Sequence, residues 1–200
     1  MSFAISSDLS LIDYFVVVPV SYSRRLVRDI CLIFCFSIIL ALCAQVSFYL
    51  PFTKVPITLQ TLSVLLTGAV LGKRRGGLAI LAYIAEGATG LPVFAGGNGG
   101  FIRMIGVTGG YIWSFPVAAY VTGWLCEKKL DRRFRSSAMA MVPGMLITYV
   151  IGVPWLAFVL RLSLPAAFTA GMLPFIAGDV FKLVIAALLL PATWRLVNKR

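Results

Sequence analysis

The sequence predicts an all-α integral membrane protein, a six transmembrane helix bundle with both termini cytoplasmic. Three observations carry that prediction. Of 200 residues, 60% are hydrophobic and only 12% charged, where a soluble domain has about 45–50% and about 25%. The charges fall between apolar runs long enough to cross a bilayer. The basic residues favour alternate loops, which is the mark of an oriented membrane protein. This composition excludes an ordinary soluble enzyme, a disordered chain and a secreted disulfide module.

A spanning helix needs about 20 apolar residues. Residues 30–53 carry no charge over 24 positions, 55–72 over 18, 104–126 over 23 and 136–160 over 25. Two further stretches are long enough but interrupted. Residues 76–102 contain Glu86, and residues 162–194 contain Asp179 and Lys182. Each of the six predicts one helix.

Fourteen of the 18 Lys and Arg lie in alternate segments. These are the first flank (Arg24, Arg25, Arg28), the loop after the second span (Lys73, Arg74, Arg75), the loop after the fourth (Lys128, Lys129, Arg132, Arg133, Arg135) and the C-terminus (Arg195, Lys199, Arg200). The opposite loops hold Lys54, Arg103 and Arg161. The positive-inside rule then puts both termini in the cytoplasm, in a multi-pass protein of the bacterial cytoplasmic (inner) membrane. The net charge of +11 reads as orientation and contact with membrane lipid. It does not read as nucleic-acid binding, because the charges have no soluble scaffold.

Residues 9–20 are apolar but short, and Asp13 interrupts them. They lack the basic start and small-residue cleavage site of a secretory signal. Residues 1–25 are therefore expected to be a surface-lying or loosely ordered leader, with residues 26–200 as the membrane domain.

Several chemistries are missing. There is no histidine, so Ser-His catalysis and His-ligated metal are excluded. Cys31, Cys35, Cys43 and Cys126 show no metal spacing and are expected to pack as small apolar side chains. The segment GAVLGK (Gly68 to Lys73) has three residues between its glycines, and Arg74 follows the lysine. A phosphate loop needs four residues there and a Ser or Thr after the lysine. No cofactor, metal or ATPase activity is expected of this chain.

What remains is inside the membrane. Asp179 and Lys182 are three apart on one helix and share a face. A charge at membrane depth faces a bundle interior or a cavity. The pair is either an internal lock between helices or a polar clamp for a small ligand carrying both donor and acceptor groups. Glu86, with Tyr83 three residues before it, either pairs with Arg103 or lines a cavity. The run GLPVFAGGNGG (Gly90 to Gly100) implies irregular backbone near membrane depth. Asn98 is its one side chain with both donor and acceptor. Tyr111 and Trp113 open the fourth span as interfacial aromatics or as walls for a ligand ring. Ser37 and Ala41, with Ala44 nearby, form a small-residue pair on the first span, as Gly68 and Gly72 do on the second. Both allow close helix approach.

The runs VPITLQTLSVLLTGAVLG (Val55 to Gly72), GATGLPVFAGGNGG (Gly87 to Gly100) and TGGYIWSFPVAAYVTG (Thr108 to Gly123), with GDVFK (Gly178 to Lys182), resemble the BioY family. These are biotin-binding S components of energy-coupling factor (ECF) transporters. The resemblance implies a six-helix bundle with a biotin pocket near the extracellular side. It implies that Asp179 and Lys182 belong to that pocket, with Asn98 and Tyr111 beside them. It also implies a small-residue face on the first helix, where Ser37 and Ala41 fall, that docks onto a transmembrane coupling subunit. ATP hydrolysis would come from separate ATPase subunits, or the chain would work as a self-oligomer. Ser37 stands where the family often has alanine, and Glu86 where an apolar residue is expected.

The residues agree with that expectation. Biotin offers a ureido group, an apolar fused ring and a carboxylate. Asp179 can accept from the ureido N–H groups, Lys182 can donate to a carbonyl or carboxylate, and Arg103 is a further carboxylate partner. Three other readings remain at this point. One is an S component for another vitamin. Another is an intramembrane enzyme using Glu86 and Asp179 as acid and base. The last is a structural membrane subunit whose charges only lock helices.

Overall fold

The structure, a computed structural model, describes residues 9–197. It is a helical bundle with one two-stranded hairpin. Helix α1 runs Tyr22–Gln45, α2 Gln60–Leu71, α3 Lys73–Ala88, α4 Phe101–Ile105 and α5 Gly109–Leu125. Helix α6 is Phe134–Leu160, α7 Leu164–Gly171 and α8 Ile176–Val197. Strands β1 (Ser47–Phe48) and β2 (Ile57–Thr58) pair antiparallel between α1 and α2. Helix α5 is the hub, packed on α2, α3 and α6. Helix α1 rests on α3 and α2, and α8 on α6.

Each charge-poor stretch contains one helix of at least 12 residues. Among the described residues, three segments are long and apolar enough to cross a membrane: Tyr22–Gln45, Phe134–Leu160 and Leu164–Val197. Helix α2 has 12 residues, about 18 Å at ~1.5 Å per residue, against a hydrocarbon core of about 30 Å. Runs without charge overstate helix length because turns need no charge. The run 55–72 spends its start on β2 and a turn. The run 76–102 ends its helix at Ala88, and a loop follows. The run 162–194 breaks at Met172, where Pro174 interrupts the helix and separates α7 from α8.

The tight fit of α2 on α5 rests on glycine. A Cβ on Gly68 would sit 2.2 Å from the Ala119 carbonyl oxygen. Gly68 thus brings two helices of this bundle together. Gly72, at φ 82°, turns the chain straight from α2 into α3.

That turn corrects one expectation. Lys73, Arg74 and Arg75 are not a loop but the first turn of α3. Cations there oppose the helix dipole, and acids from elsewhere compensate. The Lys73 backbone N–H donates to Glu127 Oε1 at 2.9 Å, and its ammonium pairs with Glu127 Oε2 at 2.8 Å. Arg75 pairs with Asp13 at 2.6 Å and with Asp29 at 3.3 Å.

Asp13 belongs to the expected leader, which is docked rather than loose over its described part. Residues Leu11–Tyr14 form a 3-10 turn. Leu11 is buried at 3% exposure. Asp13 also pairs with Arg28 at 3.1 Å, and Tyr14 meets Trp194 edge-on at 5.0 Å. Helix α1 begins at Tyr22, so the expected boundary at 25 falls inside it. Residues 1–8 of the leader lie outside the described residues. The Tyr14–Trp194 contact also brings both ends of the described chain to one end of the bundle.

Candidate functional site

At the opposite end, helix termini and loops enclose a cavity of about 580 Å³. Ligand pockets typically run about 300–1,000 Å³. Its polar base is built by three helices. Asp179 and Lys182, one turn apart at the start of α8, are 5% and 9% exposed. Lys182 Nζ donates to Asp179 Oδ1 at 2.8 Å and to Thr61 Oγ1 at 3.0 Å. Thr61, from α2, donates its hydroxyl to Asp179 Oδ1 at 3.1 Å. The Tyr149 hydroxyl, from α6, donates to Asp179 Oδ2.

The bonding capacity of this cluster is not exhausted. An ammonium has three donors, and two of those of Lys182 are engaged among the described residues. A carboxylate accepts about four bonds, and Asp179 receives three. The base therefore presents one donor beside one acceptor. Burial makes each worth more than it would be in water, because water does not compete there.

The walls are aromatic. Phe94, Tyr111, Phe115, Tyr149 and Phe175 line the cavity. The Tyr111 hydroxyl donates to the Gly171 carbonyl at 2.7 Å, so α5 fastens the end of α7. At the rim, Arg103 Nη2 donates to Asn98 Oδ1 at 2.6 Å, and Asn98 Nδ2 donates to the Ala95 carbonyl at 2.6 Å. Both residues line the cavity, and Lys54 joins them there.

Five expected site residues thus meet at one cavity: Asp179, Lys182, Asn98, Tyr111 and Arg103. Tyr83 and Glu86 do not line it. Tyr83, fully buried, stands behind the wall. It accepts from Gln60 Nε2 at 2.8 Å and packs edge-on against Phe94 at 5.5 Å. Glu86 neither pairs with Arg103 nor faces the cavity. Its Oε1 accepts the Ser37 hydroxyl at 2.7 Å, because α1 covers that side of α3.

The same bond places the small-residue pair of α1 on its inner side. Ser37 is 0% exposed, and Ala41 packs against the core. These residues close α1 onto the bundle, and α1 instead exposes Phe34, Ile38 and Leu42. Trp113 is half exposed and donates to the Met104 carbonyl at 3.2 Å.

Sequence reasoning missed Thr61, Tyr149 and Gln60. For Tyr149 a signal existed: a phenol inside an apolar span needs a hydrogen-bond partner, and an intramembrane acid was available. For Thr61 there was none, since Thr satisfies itself on its own helix. Lys54 was counted only as a loop charge. Among the described residues no group of three or more His, Cys, Asp or Glu gathers into a metal site.

Comparison with known proteins finds relatives over most of the chain. The family model described as BioY family covers residues 13–199. The probable biotin transporter BioY of Pyrococcus horikoshii is 40% identical over 162 residues, 81% of this chain and 93% of that protein. The biotin transporter BioY of Rhizobium etli is 39% identical over 170 residues, 81% and 90% of the two chains. That of Thermotoga maritima is 42% identical over 140 residues, 70% and 81%. A crystal structure of the S-component for biotin from an ECF-type ABC transporter superposes with a TM-score of 0.78. It covers 88% of this chain and 95% of its own, at 23% identity, a level that speaks for the fold alone. The shared architecture and the extent of the sequence match give one assignment: the chain belongs to the BioY family.

Proposed function

We propose that this chain is the biotin-binding S component of an ECF-type uptake system. The observation that carries the reading is the Asp179–Lys182–Thr61–Tyr149 cluster at the base of an aromatic cavity, with one donor and one acceptor unfilled among the described residues. A ureido group is the complement, since its N–H and its carbonyl lie side by side. Asp179 accepts the N–H and Lys182 donates to the carbonyl. The aromatic walls enclose the fused ring. Arg103, oriented by Asn98, and Lys54 are the cations available to a carboxylate tail. Tyr83 acts on the site through Gln60 and Phe94.

Six membrane crossings with both termini in the cytoplasm fit the family and the basic bias of alternate segments. In that orientation the cavity opens to the outside of the cytoplasmic membrane. A chain with no phosphate loop needs its energy from other subunits, so a transmembrane coupling subunit and ATPase subunits are the partners proposed, with a self-oligomer as the alternative assembly. The relatives are named transporters, and the site is one that binds rather than reacts.

The test is labelled-biotin binding to the purified chain in detergent, in competition with thiamine and riboflavin. Saturable binding displaced by biotin alone supports the reading. Binding displaced equally by another vitamin overturns it.

A further inference from the structure

The cavity wall formed by residues 89–100 is also held from outside the cavity, by one side chain of α1. Phe94 and Asn98 face each other in an antiparallel bridge, with N···O distances of 2.8 and 3.3 Å. Both line the cavity. Between them Gly96 and Gly97 take φ of 71° and 70°, a left-handed pair that glycine adopts without strain. The Gly97 N–H is thereby directed to α1. Its acceptor is Gln45 Oε1 at 2.9 Å. The amide nitrogen of the same side chain faces the carbonyls of Pro92, Val93 and Phe94 at 3.4–3.5 Å. It also donates to the Ala41 carbonyl of α1 at 3.0 Å. One end of the amide is among acceptors and the other against a donor, so the network fixes its orientation.

Gln45 is the last residue of α1. It is exposed and lines no part of the cavity. Its bonds run from a helix whose outer face is free to a loop whose inner face forms the cavity wall. We propose that Gln45 is a positioning residue for substrate retention, latching the loop at 92–97 from α1 so that Phe94 and Asn98 stay closed over the ligand. The inference rests on the reading that the ligand is biotin, and it adds that release is controlled from the end of α1.

The test uses the full purified chain and two variants. Gln45→Ala removes the amide. Gln45→Met keeps its length and bulk but has no N–H donor or strong acceptor. Labelled biotin should dissociate from both variants about tenfold faster, the scale of one to two net hydrogen bonds, with association changed much less. In the ligand-free variants the Gly97 amide should exchange hydrogen faster, while α5 amides keep their wild-type protection. Dissociation at the wild-type rate overturns the latch. So does a Gln45→Met variant that behaves as wild type while Gln45→Ala releases fast, since bulk alone would then hold the loop. Faster release with unchanged exchange at 92–97 overturns it too. If the wild-type chain binds no biotin, the substrate reading fails, and the exchange measurement alone judges the latch: faster Gly97 exchange supports it, unchanged exchange overturns it.

Discussion

The two ends of this bundle each hold buried charge, and they use it differently. At the basic end, Asp13 accepts from the backbone N–H and hydroxyl of Ser10 at 3.0 Å and from two nitrogens of Arg75 at 2.9 and 2.6 Å. Arg28 adds a further contact at 3.1 Å. Oδ2 of that carboxylate takes three of these bonds, and Oδ1 meets both guanidinium groups. At the cavity end, Asp179 and Lys182 are equally buried yet each keeps one bond in reserve. Buried charge alone therefore does not mark a binding site. The mark here is buried charge with unused bonding capacity on the wall of a cavity large enough for a small ligand, about 580 Å³.

This contrast can be broken by substitution. Asp13→Ala leaves Arg28 and Arg75 without their shared partner. It should lower stability by about 3 kcal/mol, the low end for losing one member of a buried pair, with biotin affinity unchanged. Thermal unfolding and binding on the same preparation would check both halves. Lys182→Ala does the reverse, weakening biotin at least tenfold, about 1.4 kcal/mol. Ser37→Ala removes the hydroxyl bonded to Glu86 and should cost about 1 kcal/mol of stability with no change in binding. A loss of affinity there would return Glu86 to the site. Tyr83→Phe deletes only the acceptor of Gln60, so its effect on affinity should be the smallest, about threefold or less.

Acid sharpens the comparison. Burial pushes the Asp13 carboxyl up, but the hydrogen bond and charge of Arg75 outweigh it and hold the group below its ordinary 3.8. A depressed carboxylate contributes stability that is full above its unfolded pKa and is lost as pH falls through the folded one. The basic end should therefore keep its strength down to about pH 4 and loosen below that. Asp131 has the opposite sign, since burial outweighs the Trp194 hydrogen bond and raises it. Melting curves from pH 7 to pH 3 for wild type and Asp13→Asn should differ at neutral pH and converge in acid.

Part of this was legible in the residues. Asp179 and Lys182 stood out because two opposite charges three apart in an apolar run share a helix face whatever the fold. The glycine run announced irregular backbone. Helix rotation was not legible: Glu86 and Tyr83 lie on one side of α3, yet α1 covers the first and the cavity wall the second. The docked leader was hidden for a different reason. Asp13 finds Arg28 and Arg75 across 15 and 62 positions of sequence, and a local pattern carries no trace of such a contact. Gln45 gave no signal either, because a polar residue at a helix end is ordinary.

The central claim is that the reserved donor and acceptor at the base of the cavity recognise biotin. Equilibrium binding of labelled biotin to the wild-type chain and to Asp179→Asn, side by side in detergent, tests it most directly. The amide keeps the shape of the side chain and one acceptor oxygen but loses the charge. The account predicts saturable wild-type binding and an affinity at least tenfold weaker in the variant. Equal affinities would contradict it.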